Sequence, residues 1–135
     1  MNPAPPTPHV LIVDDDGRIR DLLYEVFAGE GYEVAATADG MQAWEWLRKS
    51  PLPLVVILDE VLPGLRGLEL LARVASDQQL AHRHGYLLLT ATAQHLEKRD
   101  LPLPIPIIPK PCDPEILLAL VADTAQRLQE EIDLN

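Results

Sequence analysis

The sequence predicts an α/β fold, a doubly wound sheet of five parallel strands in the order 2-1-3-4-5 with helices on both faces. Three observations predict it. Short runs rich in Val, Ile and Leu (Val10–Val13, Leu54–Leu58, Ile107–Ile108) each end in charge, the mark of strands buried on both faces with ligand-binding groups at their carboxyl ends. Between the runs, apolar residues recur at helical spacing. The last run carries Pro104 and Pro106, and proline belongs on an edge strand.

The elements follow in order. Residues 1–8 hold four prolines and read as a disordered lead-in. Strand one is 10–13. Helix one places Ile19, Leu22, Leu23, Val26 and Phe27 on one stripe. Gly29 and Gly31 end it, and Asp16 caps its start. Strand two spans about 32–36. Helix two covers about 40–49 with Ala43, Trp44 and Leu47 inward. Trp46, two residues from Trp44, lies on another face. Strand three is 54–58. Helix three, about 66–75, presents Leu68, Leu71, Ala72 and Ala75. A polar loop from Asp77 to Gly85 places His82 and His84 in solvent. Strand four is 86–89 and strand five about 105–108. Strand five is expected to pair through Ile105 and Ile107, with the missing N–H groups of Pro104 and Pro106 on the open side. Between Thr90 and strand five only Ala93 to about Arg99 can be helical before Pro102 and Pro104. The last helix runs from Pro114 to about Glu131, capped by Asp113. One domain, 9–131, is expected, with 132–135 as a tail and no output domain.

Composition limits the function. The 135 residues carry a net charge of −10, which repels phosphate backbones and argues against direct nucleic-acid binding. No apolar run approaches the ~20 residues of a membrane span, and the N-terminus lacks the basic and apolar regions of a signal peptide. Cys112 is the one cysteine and reads as an inert small residue. A cytoplasmic setting fits.

The order of strands brings Asp14, Asp15 and Asp59 to one edge. Three clustered carboxylates repel one another unless a cation joins them. Magnesium suits one or two carboxylates, waters and phosphate oxygens, and a carboxylate can act as nucleophile to form an acyl phosphate. Lys110 offers a fixed positive charge and Thr90 a hydroxyl donor.

At these residues the chain resembles the receiver domain of two-component response regulators, a flavodoxin-like fold. The resemblance rests on the acid pair Asp14-Asp15, Asp59 followed by Pro63 and Gly67, Thr90-Ala91, and Lys110-Pro111. It implies Asp59 as phosphoacceptor, a Mg2+ ion (Mn2+ substituting) held by Asp15, Asp14, Asp59 and the Val61 backbone carbonyl, and Thr90 and Lys110 on the phosphoryl group. It also implies a cis Lys110–Pro111 peptide, Val61 and Thr92 as influences on phosphoryl lifetime, and Ile107 at the switch position usually held by an aromatic residue. The implied donor is a sensor histidine kinase or phosphotransfer protein, and output runs through protein contacts, a homodimer among them. Two alternatives stand beside this reading. One is a receiver-fold adaptor working without phosphorylation, motivated by the shortened fourth helix. The other is a phosphohydrolase of the haloacid-dehalogenase type, motivated by Asp14-Asp15-Asp16-Gly17.

Overall fold

In the computed structural model, which describes residues 9–134, five parallel strands pair in the order β2-β1-β3-β4-β5. They are β1 (His9–Val13), β2 (Val34–Thr37), β3 (Leu54–Asp59), β4 (Gly85–Thr90) and β5 (Ile107–Pro109). The helices are α1 (Gly17–Gly29), α2 (Gly40–Lys49), α3 (Gly67–Ala75), α4 (Gln78–Arg83) and α5 (Pro114–Leu134). The expected lead-in, residues 1–8, lies outside the described residues, as does residue 135. The last helix continues to Leu134, past the expected end at Glu131. Among the described residues no helix is long and apolar enough to cross a membrane.

Every residue of β3 is buried, as the apolar run demands. Alternation splits the core into two layers. Leu11, Val13, Val56, Leu58 and Leu88 pack with Ala43 and Leu47 of α2 and Leu70, Leu71 and Val74 of α3. Val10, Ile12, Val55, Ile57, Leu87, Leu89 and Ile108 pack with Leu23 and Phe27 of α1 and Leu117 and Val121 of α5. Leu22 does not join the α1 stripe and is exposed. The end of α1 is a Schellman turn: Tyr32 N–H donates to Phe27 C=O, and Gly31 N–H to Ala28 C=O. Gly31 has φ +92°, which glycine alone adopts freely. The Tyr32 ring meets Phe27 edge-on at 5.8 Å, supplying the apolar contact of that motif.

Helix α3 is rotated from the expected stripe. Leu70, Leu71 and Val74 are buried, whereas Ala72 is exposed and Leu68 and Ala75 are half-buried. Gly67 sets the rotation. A Cβ there would lie 2.4 Å from the Asp59 carbonyl oxygen, so only glycine lets α3 start against the end of β3. Its N–H donates to Glu60 C=O at 3.0 Å.

The expected polar loop holds the six-residue helix α4, whose cap Asp77 accepts from Gln79 and Leu80 N–H. His82 is exposed, but His84 is 2% exposed. Leu54 N–H donates to His84 Nδ1 at 2.9 Å, and His84 Nε2 lies 2.9 Å from Leu47 C=O. An amide can only donate, so Nδ1 is the acceptor and Nε2 carries the proton. The neutral imidazole thereby ties the end of α2 to the start of β3. Burial lowers its pKa to about 4, with the Leu47 bond resisting and Arg83 assisting.

Strand β5 is an edge, as expected, for a different reason. Leu88 N–H donates to Pro106 C=O, and Lys110 N–H to Thr90 C=O. Even-numbered residues therefore face β4. Pro106 can accept there but not donate, so the strand starts at Ile107, and Pro109 turns its missing N–H outward. The segment before it is not an α-helix. It holds two 3-10 turns, Ala93–His95 and Lys98–Asp100, because Pro102 and Pro104 leave no room for a longer ladder.

Candidate functional site

Register brings the acids together. Val13 pairs with Leu58, so the next residues, Asp14 and Asp59, stand side by side past the strand ends. Asp14, Asp15 and Asp59 each offer a carboxylate oxygen within 4.8 Å of the others. Asp14 and Asp59 are buried, whereas Asp15 is exposed. Lys110, delivered by β5, reaches both buried acids, with Nζ 3.1 Å from Asp14 Oδ2 and 3.1 Å from Asp59 Oδ2. The Lys110–Pro111 peptide is cis.

The remaining lone pairs are partly satisfied. Asp14 Oδ1 accepts from Asp16 N–H at 2.9 Å, and Asp59 Oδ1 from Val61 N–H at 3.4 Å. Arg20, which sequence reasoning did not single out, donates from Nη1 to the Asp14 backbone carbonyl at 2.8 Å. Of the three carboxylates, two share the one ion-paired lysine and the third, Asp15, has no ion pair among the described residues, so the cluster is under-neutralised. Burial holds the Asp59 carboxyl above its ordinary range; the Asp14 charge adds to this, and Lys110 and the Val61 amide oppose it without cancelling it. Burial by itself would pull Lys110 down, but its bonds and attraction to Asp59 and Asp14 outweigh that, and its pKa is raised.

Such a donor set fits a hard divalent cation. Such cations take oxygen ligands, and the excess charge at Asp59 is what a cation would relieve. Asp15 engages no other described group through a hydrogen bond or ion pair, which leaves its carboxylate available. Val61 has an exposed side chain.

The Thr90 hydroxyl makes no hydrogen bond to the three clustered aspartates. Thr90 is 2% exposed, and its Oγ1 donates to Glu60 Oε2. Thr92 Oγ1 donates to the same oxygen at 3.1 Å. Glu60 was missed in the sequence; the one signal for it was an acid directly after Asp59. Ile107 is half-buried and pairs with Leu88. Asp16 turns away from the cluster and accepts from Arg18 N–H at 2.9 Å, capping α1. The second acid of the pattern Asp14-x-Asp16-Gly17 is thus outside the site, which removes the basis for the phosphohydrolase alternative. Cys112 is a half-buried free thiol whose pKa is raised by burial and then by Asp113.

Comparison with other proteins agrees with this arrangement. Residues 10–122 match the family described as response regulator receiver domain. Over 65 residues, covering 48% of this chain and 52% of the relative, the chain is 46% identical to sporulation initiation phosphotransferase F of Bacillus subtilis. It is 34% identical to protein PetR of Rhodobacter capsulatus over 135 residues, 98% of this chain and 54% of that protein. These matches span only about half of each relative. The chemotaxis protein CheY4 of Vibrio cholerae superposes with a TM-score of 0.74 at 28% identity, covering 88% of this chain and 99% of that one. A CheY-like receiver domain from Methanospirillum hungatei gives 0.79 at 23% identity, covering 93% and 99%. With the sheet order, the acid cluster at its carboxyl edge and a family match over most of its length, the chain belongs to the response regulator receiver domains.

Proposed function

We propose that the protein is a phosphorylation-controlled switch in which Asp59 accepts a phosphoryl group from the phosphohistidine of a sensor kinase or phosphotransfer protein. The observation that carries this is the convergence of carboxylate oxygens of Asp14, Asp15 and Asp59 to within 4.8 Å of one another, with Lys110 ion-paired to Asp14 and Asp59. A carboxylate oxygen of Asp59 attacks phosphorus. The new P–O bond forms as the P–N bond breaks, and its electron pair leaves on the histidine nitrogen, giving an acyl phosphate. The protein catalyses its own phosphorylation and dephosphorylation in this sense and turns over no separate substrate.

Asp14, Asp15, Asp59 and the Val61 carbonyl would hold Mg2+, with Mn2+ as a substitute. When bound, the ion supplies charge neutralisation for the transferring phosphoryl oxygens. Lys110, already held between two acids, moves its charge to a phosphoryl oxygen once Asp59 is phosphorylated. Thr90 donates its hydroxyl to another. Asp14, fixed by Asp16 N–H and by Arg20, keeps the cluster in place while charge is redistributed. Ile107, beside β4, relays the change to a protein partner in the cytoplasm, a second copy of the chain among the candidates.

Incubation with acetyl phosphate and Mg2+, read by intact mass, tests this. One added phosphoryl unit in the wild type and none in Asp59→Asn is expected. No gain, or a gain retained in Asp59→Asn, would refute it. The two 3-10 turns in place of an α-helix between β4 and β5 favour a second reading, an adaptor that works without phosphorylation. Equal partner binding by wild type and Asp59→Ala, with and without phosphodonor, would support the adaptor.

A further inference from the structure

Glu60 follows Asp59 directly, yet the two side chains serve opposite faces of the sheet. Successive residues of a strand alternate. Asp14, Asp59 and Lys110 continue the rows of Ile12, Ile57 and Ile108, which face α1 and α5. Glu60 and Thr90 continue the rows of Leu58 and Leu88, which face α2 and α3. Asp59 pairs in register with Leu89, so one residue further Glu60 comes level with Thr90. The Thr90 hydroxyl donates to Glu60 Oε2. Thr92 secures the arrangement from two sides, its Oγ1 donating to Glu60 Oε2 at 3.1 Å and its N–H to Thr90 Oγ1 at 3.0 Å.

We propose that Glu60 is a positioning residue for phosphoryl transfer, a latch that holds the Thr90 hydroxyl on the far face from Asp59 and must release it before Thr90 can donate to a phosphoryl oxygen. The inference rests on the reading of Asp59 as acceptor. A hydroxyl has one proton to donate, so the bond to Glu60 and a bond to a phosphoryl oxygen exclude each other. Bonds to a carboxylate are roughly twice as strong as neutral ones, so Glu60 biases Thr90 toward the withdrawn rotamer more than a neutral residue would. A phosphoryl group that recruits Thr90 has to overcome that bias, and its apparent affinity falls by the same factor. Release also frees Thr92 from one of its two partners, so the segment after β4 is loosened by the event that engages Thr90.

The test uses the full chain with Mg2+ and beryllofluoride as phosphoryl mimic, followed by backbone amide shifts. Glu60→Gln is expected to tighten the apparent Kd roughly fivefold, the change that follows from exchanging a charge-assisted bond for a neutral one. Losing a negative charge beside Asp59 also favours an anion, so the substitution is repeated with Thr90→Val in place. Without the hydroxyl there is no latch, and the gain is expected to shrink below about twofold. A gain that survives undiminished on Thr90→Val, or no gain in the otherwise wild-type chain, overturns the latch while leaving Asp59 as acceptor. The Thr90 γ-methyl shift, which reports χ1, gives a second readout without the mimic; no change on Glu60→Gln overturns the proposal as well. A wild type that takes no beryllofluoride overturns both the latch and the reading of Asp59.

Discussion

The two ends of the sheet treat buried polarity in opposite ways. At the amino end His84 is buried and neutral, with each ring nitrogen matched to one backbone group, Leu54 N–H and Leu47 C=O. At the carboxyl end Asp14 and Asp59 are buried as well, but the two share one lysine, stand beside a third carboxylate, that of Asp15, and remain under-neutralised. The first arrangement is complete and resists change. The second is complete only with an added cation or a rearranged anion. Stability and responsiveness therefore sit at opposite ends of the same strands, β3 and β4, which contribute to both.

The largest expected effect breaks the amino end. His84→Leu keeps bulk but leaves Leu54 N–H and Leu47 C=O buried without partners. A loss of about 3 kcal/mol is expected in urea denaturation, from two orphaned groups at about 1–3 kcal/mol each with partial relaxation. A loss under about 1 kcal/mol would mean that water reaches these groups.

The next effect is pH-dependent. The folded value for His84, about 4, lies below the ordinary 6.5. Between the two, the unfolded chain binds a proton that the folded chain excludes. The stabilisation is therefore whole above about pH 6.5 and is lost as pH falls toward 4. From pH 7 to 5 the loss attributable to this group is about 2 kcal/mol. Subtracting the pH response of His84→Gln, whose amide offers the same donor and acceptor without titrating, isolates it. Equal pH responses for the two proteins would place the sensitivity elsewhere.

At the carboxyl end the sign reverses. Asp59→Asn removes a buried charge that Lys110 only partly offsets, and a gain on the order of 1 kcal/mol at pH 7 is expected in thermal or urea unfolding. The same logic applies to acid. A carboxyl raised in the folded state costs stability above its folded pKa and regains it as pH falls, so the Asp59→Asn advantage narrows at low pH. A loss of stability in Asp59→Asn would show the cluster to be adequately neutralised by Lys110.

The smallest effect concerns the cation. Magnesium near its Kd stabilises by about 0.4 kcal/mol. That gain is expected in the wild type and is expected to vanish in Asp15→Asn, because Asp15 has no other described partner to compensate. An unchanged gain in Asp15→Asn would exclude it as a ligand.

Much of this was legible in the sequence for local reasons. Charge following an apolar run marks a strand end whatever surrounds it, which located Asp14, Asp59 and Lys110. Asp16 and Asp113 cap helices through bonds to residues two positions away, an interaction that sequence spacing contains. The α3 stripe was misread because Leu68 and Leu71 fit the helical period as well as Leu70, Leu71 and Val74 do. The choice fell to Gly67, whose missing side chain matters only against a carbonyl on another element. His84 read as solvent-exposed because its partners lie 30 and 37 residues away in the chain. The prolines of strand five marked an edge correctly but gave the wrong parity, since parity depends on which carbonyl Leu88 finds.

The sequence by itself determined the alternation of strands and helices, the order in which charged residues arrive at one edge, and the chemical types available there. Those follow from hydrophobic period and from capping, which act over a few residues. Tertiary structure alone decided that Lys110 is shared by two acids, that Thr90 is held by Glu60 instead of standing free, and that one histidine of the α4 region is a core residue. Each of these depends on register and packing between segments far apart in the chain, where distances are set by neighbouring strands and not by the spacing of residues along one.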